Sequence, residues 1–463
     1  MNIQINKAAV EKLRYGFNGN ILLPENSGYD ETRKIFNAMI DLHPGVIAQC
    51  TGVEDVIKAV QFGRDNGLEI AVRSGGHSVA GKSLTDGGLV IDLRRMNTVS
   101  VNAEERTATV SGGATMGDFD RATQPFGLAT TGGRVSTTGV GGYTLGGGDG
   151  WLARKMGLAC DNLISAELVT ASGDVVRASE NENPDLFWAL HGGGGNFGVA
   201  TSFTFQLHEL PSVTAALLLW PPEAGQDVVR SYRNYMESAP DEVGGGIVYL
   251  TGPPDAFVPE HFKNKLTLAI LIVHAGPEAQ AREAAAPLLN LNHEGEFLEE
   301  MPYAELQCML DDPPGKRNYW SAEYLKKLPN EAVDVFCNHA KEMIVPSPSQ
   351  YALFPQGGAI ARGRATYPVP WRHDSWCVHP FGLWDNPSDD ERGKQWARDI
   401  RDDLRPWASG ATYLNFIGDE GEDRVVAGFG RENYERLAKV KGLYDPDNLF
   451  RLNHNIKPLV GAD

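Results

Sequence analysis

The chain is poor in several things. No apolar run approaches the roughly 18 residues that a bilayer span requires. The opening Met-Asn-Ile-Gln-Ile-Asn-Lys has no basic start followed by an apolar core, so neither a membrane anchor nor a signal peptide is expected. Cysteines number only five (Cys50, Cys160, Cys308, Cys337, Cys377), and none forms a Cys-x-x-Cys pair. That disfavours a disulfide framework and a structural zinc site, and it fits a reducing cytoplasm. His373 and His379 share a segment without metal-ligand spacing, so no metal site is expected. Basic residues are also short, with 42 Lys+Arg against 60 Asp+Glu and a formal charge of −18. Such a chain repels polyanions, which argues against a nucleic-acid partner. There is no internal repeat and no low-complexity segment.

What is present in excess is glycine, 52 residues of 463. Many fall between residues 75 and 198, where short strands and turns dominate. Thr51-Gly-Val-Glu54 reads as a capping box before a helix over Asp55 to Asn66. Leu68–Val72, Leu89–Leu93, Thr107–Val110, Leu163–Val169 and Val175–Ala178 read as strands, and Asn183 to Leu190 as a helix with Pro at its start. Past Leu210-Pro211 glycine thins and aromatics rise. There Ala215–Trp220, Gly246–Leu250, Leu266–Val273, Tyr351–Phe354 and Trp376–Phe381 read as strands. Glu278–Leu289, Glu331–Met343 and Asp389–Leu404 read as helices, and Glu432–Tyr444 closes the chain. Strands separated by long helices suggest a mainly antiparallel sheet with helices on one side. The fold class is therefore α+β, with units over residues 1–211, 212–410 and 411–463.

Two glycine segments carry the functional signal. In Arg73-Ser-Gly-Gly-His77 a histidine follows a strand on a Gly-Gly turn, where backbone N–H groups are exposed and a large ligand can come close. The run from Gly132 to Gly150 concentrates glycine where each costs about 0.5–1 kcal/mol relative to Ala, which favours a backbone surface pressed against a flat, charged ligand over mere tight packing. The literal G-x-G-x-x-G at Gly193–Gly198 is preceded by a helix and followed by a strand, the reverse of a dinucleotide fingerprint. A Rossmann site is rejected on that context.

Arg73 to His77 with Asp86-Gly-Gly-Leu-Val-Ile-Asp-Leu93 resembles the FAD-binding domain of the vanillyl-alcohol oxidase/p-cresol methylhydroxylase (PCMH-type) superfamily. Gly139-Val-Gly-Gly142, Gly146–Gly148, Lys155 to Asn162, Asp185 to Leu190 and Gly193 to Val199 continue the match over about residues 40–211. Tyr413-Leu-Asn-Phe416, Asp445 to Phe450 and Asn453-His-Asn-Ile456 resemble the terminal segment of berberine bridge enzyme-like oxidases. The resemblance implies two α+β subdomains cradling FAD, a seven-stranded antiparallel sheet over the flavin, and an 8α-histidyl bond to His77. It carries cofactor contacts onto Arg73, Ser74, Gly75, Gly76, Ser78, Gly133, Thr137, Thr138, Gly141, Gly142, Gly146, Gly147, Gly150, Gly198, Val199, Asn415, Asn453 and Asn455.

Two departures from the family pattern bear on chemistry. Many relatives carry a second flavin bond through a cysteine where this chain has Val135, and Cys160 does not match that position, so one covalent bond is expected. Where some relatives place a Glu base, Gly357-Gly-Ala-Ile-Ala-Arg362 offers an arginine, which cannot act as a base but could bind an anion. Tyr413 becomes the candidate base, against the plainer reading of a packed strand aromatic. Thr138 matches a position that influences oxygen access. Tyr249, Tyr319, Trp320, Tyr351 and Trp384 are possible pocket walls, with ordinary core the alternative for each. The expected activity is an FAD-dependent oxidase acting on an alcohol or amine carbon of a small organic molecule, with O2 as acceptor, as a monomer or homodimer. The alternatives are an oxygenating or cyclising tailoring enzyme of secondary metabolism, and a catalytically inactive flavin-binding protein.

Overall fold

A computed structural model describes residues 6–309 and 311–459. The first sheet contains β1 (Asn20–Leu22), β2 (Val46–Gln49), β3 (Ile70–Arg73) and β4 (Leu89–Asp92) in the order β1-β2-β4-β3, with β2 and β3 both parallel to β4. Parallel strands are covered on both faces, and all four residues of β4 are buried. Helix Val53–Asp65 makes the crossover from β2 to β3. It starts two residues before the position expected. Thr51 does not cap onto Glu54; the Asp55 carboxylate accepts from both the Thr51 N–H (2.9 Å) and its hydroxyl (2.8 Å).

The second sheet is antiparallel: β5 (Val99–Asn102), β6 (Thr107–Ser111), β8 (Leu163–Val169), β9 (Val175–Ser179) and β10 (Val199–Gln206), in the order β5-β6-β10-β8-β9. A short pair, β7 (Leu128–Ala129) with β11 (His208–Glu209), lies beside it.

At Val213 the chain enters a large antiparallel sheet. Its strands are β12 (Val213–Trp220), β13 (Val243–Thr251), β14 (Leu266–His274), β15 (Gly295–Met301), β16 (Arg317–Trp320), β17 (Glu323–Leu325), β18 (Gln350–Pro355) and β19 (Trp376–Trp384). Seven run in the order β15-β12-β14-β13-β18-β19-β16, and β17 pairs with β19. Successive side chains alternate faces. Tyr249, Tyr351 and Val378 pack under helices Gly225–Met236, Asn330–His339 and Asp390–Leu404, while Ala352, Phe354 and Cys377 turn to the other half of the molecule. The helix expected over Glu278–Leu289 is broken into Glu278–Ala284 and Ala286–Leu289; Pro287 lacks the N–H that would continue the first helix.

The chain then returns to its first half. Helix Arg431–Tyr444 carries Lys441, which is buried, lies 3.1 Å from Asp445, and donates to the Asn196 carbonyl (3.0 Å) and the Phe450 carbonyl (2.9 Å). Asn196 Oδ1 accepts from the Ile456 N–H at 3.0 Å. The C-terminal segment is thereby tied onto the Gly192–Gly198 turn. Among the described residues no helix is long and apolar enough to cross a membrane.

Candidate active site

The glycine segments, the large sheet and the returning tail enclose a cavity of about 760 Å³, within the range of sites for large organic ligands. Its first wall is the loop after β3. Gly75 sits so close to Gly139 that a Cβ would lie 2.2 Å from the Gly139 nitrogen, and Gly76 has φ +79° with Arg73 packed behind it. Arg73 is buried and bonds the backbone carbonyls of Thr32 and Lys34, so it braces the loop from outside the cavity. Ser74, Gly75, Gly76, His77 and Ser78 face inward. His77 Nε2 lies 2.8 Å from Thr137 Oγ1, and its ring stacks on Phe36 with centroids 4.2 Å apart. Among the described hydrogen bonds none involves Nδ1. Burial, with help from the Arg73 charge, lowers the His77 pKa to about 4. The imidazole is therefore neutral at physiological pH, although its ring keeps some surface open to the cavity.

The second wall comes from residues 133–146. Gly133, Val135, Thr138, Gly141, Gly142 and Gly146 face the cavity, whereas Gly147 and Gly150 stand behind it, against Trp371 and against the Gly132 carbonyl. Thr137 touches His77 and does not itself line the cavity. The third wall is Gly192 to Gly198 with Asn415 and Asn453 from the tail. Val199 is buried in the apolar core and Asn455 lies outside the lining.

These walls suit FAD. A Cβ on Gly142 or Gly195 would meet nothing within 4 Å, so bare backbone faces open space there. Oδ1 of Asn453, in the lining, is buried with no donor, and a ligand rich in hydroxyl and N–H groups would satisfy such an acceptor.

The floor is the large sheet. Phe354, Ala352 and Gln350 of β18 face the cavity beside His379 and Phe381 of β19, with Trp151, Trp320 and Phe416 around them. Arg134 lies with its guanidinium 4.0 Å from the Phe354 ring centroid and pairs with Asp149 at 3.2 Å. Burial is the largest influence and opposes its charge, but Asp149 and Tyr143 together outweigh it and the pKa is raised. At the rim, burial and then Asp311 push the Asp312 pKa up to about 7.

The two expected catalytic residues fare differently. Arg362 is not in the cavity. It ends the short helix Gly358–Arg362, lies 63% exposed, and pairs with Asp241. The Gly-Gly before it turns the chain away from the floor, so the expectation of an anion-binding arginine is corrected. Tyr413 does line the cavity. Its oxygen accepts from Gly148 N–H (3.2 Å) and Asn415 Nδ2 (3.0 Å), yet burial outweighs these bonds and raises its pKa. Burial thus works against the lowered pKa that a tyrosine base requires. Cys160 is fully buried in the core, outside the lining, with its thiol pKa raised by burial. Of the possible aromatic walls, Trp320 lines the cavity, while Tyr249 and Tyr351 lie on the helix-covered face of the sheet, Trp384 packs on Gly393, and Tyr319 lies outside the lining.

Sequence reasoning missed Arg134, Asp149, Asp312 and His379. For His379 a signal existed: period-2 alternation in β19 puts Cys377, His379 and Phe381 on one face.

Fold and cavity together define an FAD-binding oxidoreductase. Residues 44–179 match the FAD binding domain family, and residues 412–457 match the family described as berberine and berberine like. The chain is 33% identical over 454 residues to (R)-6-hydroxynicotine oxidase of Paenarthrobacter nicotinovorans, covering 95% of this chain and 97% of that one. The crystal structure of 6-hydroxy-D-nicotine oxidase from Arthrobacter nicotinovorans superposes with a TM-score of 0.85 at 30% identity, over 96% of this chain and 98% of that one. Berberine bridge enzyme from Eschscholzia californica shares the fold, with a TM-score of 0.85 at 22% identity over 98% and 100% of the two chains. The protein belongs to the berberine bridge enzyme-like family of FAD-linked oxidoreductases.

Proposed function

We propose that the protein is an FAD-dependent oxidase that removes hydride from an alcohol or amine carbon of a small organic molecule and reduces O2 to H2O2, with FAD attached through a single bond to His77. The observation that carries this reading is the neutral His77 imidazole, held by Thr137 and stacked on Phe36 at the glycine-lined wall of the cavity. Bound FAD supplies the hydride acceptor and the reaction with oxygen. The chain's own residues do the rest. In the tautomer where Thr137 accepts from Nε2–H, the Nδ1 lone pair of His77 is free for covalent attachment. Val135 offers no thiol at the cavity wall, and Cys160 is sealed in the core, which supports one tether rather than two. Trp151, Phe354 and Phe416 face the cavity around the Arg134 guanidinium, a wall of aromatic rings that suits a flat substrate. An organic substrate of that kind is in keeping with the similarity to (R)-6-hydroxynicotine oxidase.

A second reading keeps the cofactor: Thr138 places a hydroxyl-bearing residue on the cavity wall, which favours an oxygenating or cyclising reaction. An inactive flavin-binding protein had only Arg362 in its favour, and Arg362 lies at the surface. The experiment is peroxide release from the purified holoprotein with a panel of benzylic alcohols, cyclic amines and (R)-6-hydroxynicotine, with product masses. Loss of two hydrogens with stoichiometric H2O2 supports the oxidase; gain of oxygen supports the second reading.

A further inference from the structure

The middle of the cavity floor holds a histidine that the reading above does not use. β18 and β19 pair with Gln350 opposite Phe381, Ala352 opposite His379, and Phe354 opposite Cys377. Val248 of β13 continues the middle row beside Ala352. That row therefore reads Val248, Ala352, His379, a single heteroatom-bearing side chain next to a methyl group too small to cover it.

The imidazole is fixed in place and in tautomer. His379 Nδ1 lies 2.8 Å from the Ser321 carbonyl oxygen. A carbonyl only accepts, so Nδ1 carries the hydrogen and Nε2 carries the lone pair. The ring stacks on Phe416 (4.1 Å between centroids, 13° between planes) and meets Trp320 edge-on at 6.0 Å. Among the described hydrogen bonds none reaches Nε2. Burial, assisted by Arg134, holds the pKa down at about 3. The result is a neutral acceptor with 5% exposure, set in an apolar row and aimed at the space a substrate would fill. Nε2 is not among the side-chain atoms sealed from solvent without a partner, so it opens onto the cavity, and a site built around such an acceptor discriminates strongly for ligands that supply the donor.

We propose that His379 is the catalytic residue that accepts the substrate's exchangeable proton, so that the substrate carries an O–H or N–H on the carbon being oxidised and lies flat across the Val248–Ala352–His379 row. This rests on the oxidase reading. The O–H or N–H bond breaks and an Nε2–H bond forms, while the carbon loses its hydride to FAD and becomes a carbonyl or imine carbon. The imidazolium returns its proton to water after product leaves. Ser321 acts as a positioning residue through its carbonyl.

The test compares two probes, benzyl alcohol and benzyl methyl ether, in which a methyl group replaces the hydroxyl donor; the His379 variants separate the loss of the donor from the added methyl. Binding is followed by intrinsic tryptophan fluorescence and by the flavin absorption band of the holoprotein. The wild type is expected to favour the alcohol by about tenfold or more. His379→Phe keeps the stack on Phe416 but has no acceptor, and should bring the two Kd values within about threefold of each other. His379→Gln, with an amide oxygen near the Nε2 position, should retain part of the preference and guards against a folding defect in the first variant. For any panel substrate that reduces the flavin, the reduction rate at saturation should fall about 10²–10⁴-fold in both variants, with the flavin spectrum and loading unchanged. Equal binding of the two probes by the wild type overturns the proposal, as does a His379→Phe variant that keeps the preference or the rate. A wild-type protein that holds no flavin instead overturns the oxidase reading, and the fluorescence arm still reports the probe preference in that case.

Discussion

His77 Nε2 lies 2.8 Å from the hydroxyl of Thr137, a residue sixty positions along the chain that belongs to the other glycine segment. The contact joins the two walls of the cavity. A hydroxyl can donate or accept; when Thr137 accepts from Nε2–H, the lone pair is left on Nδ1. Thr137→Val removes the acceptor without changing the side-chain shape. Its expected effect is a lower fraction of covalently attached flavin, read as more flavin in the supernatant after acid precipitation. His77→Ala should release all of it. Full covalent loading of Thr137→Val would remove Thr137 from this role, and retained covalent flavin in His77→Ala would move the tether elsewhere.

Tyr413 is expected to act as a neutral phenol. Burial raises its pKa, so it stays protonated across the working range of an enzyme. Tyr413→Phe deprives the Gly148 N–H of its acceptor, while Asn415 Nδ2 keeps the carbonyls of Gly142 and Tyr143 within 3.3 Å. A stability loss of about 1–3 kcal/mol in urea unfolding is expected from the orphaned donor. The pH profile of flavin reduction should keep its shape. Disappearance of a titrating limb in the variant would restore Tyr413 as the base.

Arg362 is expected to be dispensable. Its guanidinium is 63% exposed and the side chain of its partner Asp241 is 34% exposed. Exposed pairs contribute little. Arg362→Ala should leave peroxide formation within about twofold of wild type and the melting temperature unchanged. A large fall in rate with unchanged flavin loading would mean that the Gly358–Arg362 helix moves into the site during turnover.

The cofactor half of this site was legible in the sequence because its chemistry is local. Glycines that let backbone approach backbone, as Gly75 meets Gly139, leave their mark in consecutive residues, and His77 lies inside such a run. The substrate half is assembled across strands. His379 comes into the site through register with Ala352 and through a carbonyl at Ser321, and neither partner is near it in sequence. Arg362 misled for the same reason: spacing after Gly357-Gly358 says nothing of which way the turn sends the chain. The edge strand β15, Gly295–Met301, was missed because its run Gly-Glu-Phe-Leu-Glu-Glu-Met is half-exposed and lacks an apolar stretch. Helix boundaries shifted where a side chain such as Asp55, rather than the expected Glu54, reached back to cap.

A buried carboxyl packed behind Gly132 and Gly133 of the second wall gives the last prediction. Asp120, on helix Met116–Thr123, is 4% exposed and accepts from Gln307 Nε2 at 3.1 Å across the boundary to helix Tyr303–Met309. Tyr303 Oη and Gln307 Oε1 beside it are buried without partners. Burial raises the Asp120 pKa to about 7, with Gln307 and Arg121 pulling weakly the other way. In the unfolded chain the same carboxyl titrates near 3.9, roughly the reference value for Asp. The folded protein therefore binds this proton more tightly. Its stabilising contribution is full below about pH 4, and it is lost progressively as pH rises through about 7. Asp120→Asn keeps an acceptor for Gln307, adds a donor for Gln307 Oε1 or Tyr303, and removes the titration. The variant should match the wild type in urea unfolding near pH 4. At pH 8 it should be more stable by roughly 1–3 kcal/mol. A difference that does not change with pH would show that Asp120 stays ionised in the fold, held by groups other than Gln307.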